Sequence, residues 1–136
     1  MSPVLALLIA AALLVAAVIA GIVIRLVDGR RRGGGHLRFD ATDASGELGE
    51  KATLVQFSTE MCARCPQVRR MLGAIASADD GLAHIEVDLT HRPDLSSRYR
   101  VLQTPTTFLV DRAGVVRARF NGVPHRHALA EALAAV

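Results

Sequence analysis

From Pro3 to Ile24 the chain reads PVLALLIAAALLVAAVIAGIVI, 22 residues without a charged side chain. In an apolar environment such a segment can satisfy its backbone only as a helix, and at about 1.5 Å per residue it crosses a bilayer core of about 30 Å. The sequence therefore predicts one transmembrane helix, with residues 1–27 as an N-terminal anchor. A helix packed on a soluble domain is a poor alternative, because it would keep a polar face and this run has none. A cleaved signal peptide is the competing reading, and Val18-Ile19-Ala20 before Gly21 would serve as a small-residue cleavage site. Against it, no positively charged side chain precedes the run, and the run exceeds the usual hydrophobic region of about 7 to 15 residues.

The arginines behind the run explain the charge of the whole chain. Of 16 Lys+Arg and 13 Asp+Glu, net +3, residues 1–35 hold Arg25, Arg30, Arg31 and Arg32 against Asp28 alone, which leaves 12 basic and 12 acidic residues for 36–136. By the positive-inside bias this collar places the C-terminal domain on the cytoplasmic rather than the extracytoplasmic side of a single-pass membrane protein. Residues 28–36 then form a basic, Gly-rich linker, its arginines near anionic headgroups and its glycines a flexible tether. The neutral remainder, with four Phe, one Tyr and no Trp, lacks the cationic surplus and stacking platforms of a nucleic-acid binder, and that class is set aside. Without residues 1–27 the apolar share falls from 51% to about 42%, ordinary for a soluble domain. About 100 residues suffice for one core, so residues 37–136 are read as a single domain.

Periodicity organises that domain. After a short strand at Leu37–Phe39, Ala52–Ser58 (ATLVQFS) is the apolar, β-branched run of a strand covered on both faces. A helix follows, with Cys65, Val68, Leu72 and Ile75 on one side, ended by Asp79-Asp80-Gly81. Ala83–Leu89 alternates Ile85, Val87 and Leu89 with His84, Glu86 and Asp88, a second strand, so the unit is βαβ with parallel strands. A short helix at Pro93–Tyr99, strands at Thr106–Val110 and Val115–Phe120 joined by a tight turn, and a helix at His125–Val136 complete the order. The expected fold is α/β, a mixed sheet flanked by helices.

The chemistry lies in Cys62-Ala63-Arg64-Cys65, the only two cysteines, placed where the strand turns into its helix. Two intervening residues let the sulfurs close a small ring, the spacing of a redox-active pair. The positive end of the helix and Arg64 stabilise a thiolate on Cys62, which makes it the nucleophile. Cys65 begins the apolar side of the helix and is the shielded thiol that resolves the mixed disulfide. A purely structural bridge across three residues would restrain little chain entropy. A metal site would need two more ligands, and none of His36, His84, His91, His125 and His127 has paired spacing with the cysteines.

Leu54–Pro66, LVQFSTEMCARCP, resembles the active-site strand and turn of the thioredoxin family, and Gln103–Val110, QTPTTFLV, resembles its Thr-Pro loop. Asp111–Gly122 is similar to the closing hairpin and glycine, so the likeness covers about residues 51–136. It implies a thioredoxin-like fold after the membrane helix, with Thr104-Pro105 beside the cysteines, a cis peptide before Pro105, and Thr104 offering its backbone to an extended substrate strand. The sequence departs from the family in carrying Met61 where Trp usually precedes the first Cys, and Ala63-Arg64 where Gly-Pro usually separates the pair. Gln56 replaces the buried acid and His84 the basic residue of the next strand; Gln56 stands where a proton acceptor for Cys65 would be sought but cannot take a proton, so release of product by Cys65 is expected to be slower unless His84 or Glu60 substitutes.

These residues predict a membrane-anchored thiol-disulfide oxidoreductase with no bound cofactor and no metal. Its partners are protein thiols or disulfides, the membrane through the N-terminal helix, and a redox partner, either a reductase or a membrane electron carrier. The alternative from another class is a thioredoxin-fold binding module, a metal chaperone or a redox-gated docking domain without dithiol turnover.

Overall fold

The computed structural model describes residues 2–136; Met1, counted with the anchor above, lies outside the described residues. Helix α1 runs from Pro3 to Val27, with Pro at the first turn and Ser2 as N-cap, its hydroxyl accepting from the Leu5 N–H at 3.2 Å. None of its residues is buried, and it is long and apolar enough to cross a membrane. Asp28 caps its C-terminus, the Asp28 N–H donating to the Ile24 carbonyl.

The segment behind α1, expected to be a loose tether, is bound to the domain instead. Gly29 donates to the Asn121 carbonyl at 2.6 Å, and its own carbonyl accepts from the His125 N–H at 2.9 Å. Arg31–Arg32 then form strand β1, antiparallel to the last strand of the sheet. The physical reason is the open edge of that strand, whose free N–H and C=O groups pair with whatever extended chain lies alongside. Gly29 permits the approach: its φ is 75°, and a Cβ there would stand 2.2 Å from the Val123 carbonyl oxygen.

The remaining elements follow the sequence closely: β2 Ala52–Ser58, α2 Cys65–Ser77, β3 Leu82–Asp88, α3 Pro93–Arg98, β4 Thr106–Asp111, β5 Val116–Asn121 and α4 Arg126–Ala134. The strand expected at Leu37–Phe39 is reduced to a single bridge between Arg38 and Val115. The sheet order is β1-β5-β4-β2-β3, with β2 and β3 parallel and the other pairs antiparallel. Strand β2 is central and buried at every residue, which is why its sequence is a run rather than an alternation.

Each sheet face carries its own core. On one, Leu54, Leu109, Ala118 and Phe120 pack with Val68, Met71 and Leu72 of α2 and Leu129 and Ala132 of α4. On the other, Phe57, Phe108, Ile85 and Val87 pack with Phe39, Leu95 and Tyr99. The Tyr99 hydroxyl accepts from the Asp40 N–H and donates to the Asp43 carboxylate, so its polar tip is satisfied at the edge of that core. The β4–β5 turn is built by Asp111, whose carboxylate accepts from the N–H groups of Ala113 and Val115.

Candidate active site

Strand β2 delivers the chain to the top of the sheet at Ser58, and Thr59–Arg64 form the turn that starts α2. The Cys62 N–H donates to the Thr59 carbonyl at 3.2 Å. The helix begins at Cys65, three residues later than the first sulfur, and Arg64 in the N-cap position offers no side-chain cap. The first-turn N–H groups are thereby left facing the turn that carries Cys62. Cys62 and Cys65 are joined in a disulfide, their Cα atoms 5.4 Å apart. Cys65 is fully buried and Cys62 half-buried, so partners can reach the first sulfur and not the second.

The second wall of the site is the loop before β4. The Thr104–Pro105 peptide is cis. The Thr104 hydroxyl lies 3.3 Å from that of Thr59, the Pro105 carbonyl accepts from the Gly122 N–H at 2.8 Å, and the Thr106 hydroxyl donates to the Gln103 carbonyl at 2.6 Å. The first contact ties the loop to the cysteine turn, and the other two fix the loop itself and its attachment to the end of β5. Two of the most exposed apolar side chains of the domain flank it, Met61 at 95% and Leu102 at 97%.

Beneath Cys65 lies a polar chain. Gln56, fully buried, donates from Nε2 to the Cys65 carbonyl at 2.9 Å, and its Oε1 lies 3.1 Å from His84 Nε2. Because the amide nitrogen is committed to a carbonyl, the amide oxygen must accept, and His84 must donate. Burial lowers the His84 pKa below its usual 6.5, partly offset by the Glu86 carboxylate and helped by Arg69, so the ring is neutral at pH 7. Arg69 forks onto Glu86, with Ser58 donating to the same carboxylate, which holds the Glu86 pKa below the usual range. Glu60 is apart from this chain: it is exposed in the turn, its N–H donates to Thr90, and its carboxylate makes no hydrogen bond among the described residues.

Asp28 is the contact that sequence reasoning missed. Its carboxylate lies 3.4 Å from an Arg64 guanidinium nitrogen and accepts from Gln103 Nε2 at 3.0 Å, tying the end of α1 to both walls of the site. It also fills the space over Gly122, where a Cβ would stand 2.2 Å from an Asp28 oxygen. Separations of 36 and 75 residues leave no local pattern to read. Glu86 did carry a signal, since it shares with His84 the same side of the alternating strand β3.

The thioredoxin family model matches residues 39–135. The chain belongs to the thioredoxin family. Among solved structures of that fold, mitochondrial thioredoxin 3 of Saccharomyces cerevisiae in its oxidised form is 18% identical, with 64% of this chain and 80% of that chain covered at a TM-score of 0.55. The thioredoxin of Trichomonas vaginalis is 22% identical, covering 65% and 82% at a TM-score of 0.55. Chloroplastic thioredoxin z is 23% identical, covering 63% and 78%, also at 0.55. No curated protein matches the sequence. As a thioredoxin-family domain with a closed Cys62–Cys65 pair, the chain is a thiol-disulfide oxidoreductase acting on protein thiols and disulfides. Among the described residues no group of three His, Cys, Asp or Glu side chains gathers to hold a metal ion.

Proposed function

We propose that the chain is a single-pass membrane oxidoreductase in which residues 1–27 are the anchor, 28–36 a basic segment whose Arg31–Arg32 join the sheet, and 37–136 the rest of the redox domain, facing the cytoplasm. The observation that carries the redox reading is the unequal burial of the two bonded sulfurs beside cis-Pro105. In the reductive direction the Cys62 thiolate attacks one sulfur of a partner disulfide and expels the other as a thiolate, forming a mixed disulfide. Cys65 then loses its proton and attacks the Cys62 sulfur, releasing the second partner thiolate and leaving Cys62–Cys65 oxidised. The two electrons return from a redox partner, a reductase or a membrane electron carrier, by the same exchange run backwards, so no bound cofactor is needed.

Thr104 and Pro105 serve as the substrate-docking loop. The proline has no N–H, and the Thr104 backbone is available to an extended segment crossing the site. Gln56 and His84 orient the first turn of α2 through the Cys65 carbonyl, a weaker device than a direct proton acceptor. The apolar length of α1 and the arginines at its end support the anchor and its orientation.

The test is a trap in intact membranes. With Cys65→Ser the mixed disulfide on Cys62 cannot be resolved, so reductant-sensitive adducts with membrane or cytoplasmic proteins should accumulate, and an impermeant thiol label should fail to reach Cys62 until the cells are opened. Absence of adducts would remove the exchange mechanism, whereas labelling in intact cells would reverse the orientation alone.

A further inference from the structure

Away from the cysteines, the edge where β1 meets β5 gathers charge of one sign. Arg32, Arg100 and Arg119 line a groove of about 310 Å³ whose wall is completed by Leu102, Gln103 and Asn121. Among the described residues none of these three arginines pairs with a carboxylate, whereas Arg64, Arg69, Arg92, Arg98 and Arg117 each do. Arg119 is half-buried and fixed: its guanidinium lies over the Phe108 ring at 5.0 Å, and one terminal nitrogen donates to the Arg100 carbonyl at 2.9 Å. Its Nε is buried without a hydrogen-bond partner. Arg100 is held with φ at 52°, the left-handed region that a side-chain-bearing residue seldom enters. Burial and the charges of Arg32 and Arg100 both push the Arg119 pKa down, which is the electrostatic signature of cations crowded together without a counter-charge.

Three cations crowded together without a counter-charge are unfavourable, and an oxyanion seated among them relieves that repulsion. Guanidinium groups arriving from two strands and a loop suit a tetrahedral oxyanion, which presents oxygens in several directions, better than a planar carboxylate, which takes one fork. We propose that this groove binds a phosphate group, with the guanidinium groups of Arg32, Arg100 and Arg119 as the principal donors. Two sources share that chemistry, the headgroup of an anionic phospholipid and a free phosphate compound. The headgroup is suggested by the place of Arg32, four residues after Asp28 caps α1, and by exposed Leu102 at the rim. Gln103 connects the groove to Thr104-cis-Pro105, so a bound phosphate would lie at the border of the substrate loop.

The experiment uses the full chain in maltoside micelles, which contain no phosphate, and follows the Arg119 Nε–H resonance by NMR. Titration with inorganic phosphate should shift it saturably, and Arg32→Gln or Arg100→Gln should weaken the apparent affinity at least tenfold, with backbone amide spectra showing both variants folded. Micelles doped with phosphatidylglycerol, compared with phosphatidylcholine, separate the sources. A shift specific to phosphatidylglycerol that also blocks inorganic phosphate assigns the headgroup, and a phosphate response untouched by the lipid assigns a free compound. No saturable response to either, or one unchanged in both arginine variants, would overturn the site.

Discussion

Replacing Gln56 by Asp would give Cys65 the proton acceptor that this chain lacks. The Gln56 amide spans 2.9 Å to the Cys65 carbonyl and 3.1 Å to His84 Nε2 in a fully buried position. Asp is one methylene shorter, about 1.5 Å, so neither bond survives at its present length. Two hydrogen bonds at about 1 kcal/mol each, together with an orphaned His84 donor, put the stability cost at about 2 to 3 kcal/mol. In return, burial lifts the new carboxyl towards neutral pH, where it can take the Cys65 proton. A positioned base of this kind is worth a factor of about 100 or more. The assay is single-turnover: thionitrobenzoate is loaded onto reduced Cys62, and its release by Cys65 is followed by absorbance while urea unfolding reports the stability. The expected result at pH 7 is release at least about tenfold faster from a protein with a lower urea midpoint. Wild-type release from a folded Gln56→Asp protein would refute the idea that Gln56 leaves Cys65 without a base.

Two further outcomes follow from the same geometry. The His84 pKa is lowered in the folded protein, so the unfolded chain binds its proton first; the stability this contributes is complete above about pH 6.5 and lost as pH falls from there through the folded value. Urea midpoints at pH 7.5 and 5.5 should therefore diverge more for the wild type than for His84→Gln, and equal slopes would deny the buried neutral ring. Asp28→Ala frees Arg64 from its carboxylate, and alkylation of reduced Cys62 by iodoacetamide near pH 6.5 should accelerate roughly two- to fivefold, the scale of an exposed ion pair. An unchanged rate would mean that the Arg64 charge is not felt at the sulfur.

What could be read in the sequence was local. The buried run of β2, the alternation of β3 and the strand-to-helix turn at the cysteine pair stand where the periodicity puts them, whereas the cis peptide before Pro105 is an expectation that only the resemblance to the family supplies. The spacing puts Cys65, Val68, Leu72 and Ile75 on one side of α2; in the fold Met71 joins the first three in burial while Ile75 is only partly covered, because α2 packs on the sheet mainly through its first two turns. The pairing of Arg31–Arg32 was invisible, since nothing in RRRGGG prefers a strand, and only the open edge of β5 supplies the partner. Asp28 was invisible for a related reason: its role depends on where α1 ends in space relative to Arg64 and Gln103. The Gln56–His84 pair was noticed because both residues fill positions where the family carries charge; that its amide bonds the Cys65 carbonyl and not the sulfur is visible only in the fold.

The most direct test is dithiol-driven reduction of insulin by the full chain in micelles. The wild type should accelerate precipitation of the insulin B chain catalytically, and Cys62→Ser should reduce the rate to that of the dithiol alone. Undiminished acceleration by Cys62→Ser, or none by the folded wild type, would contradict thiol-disulfide exchange through the Cys62–Cys65 pair.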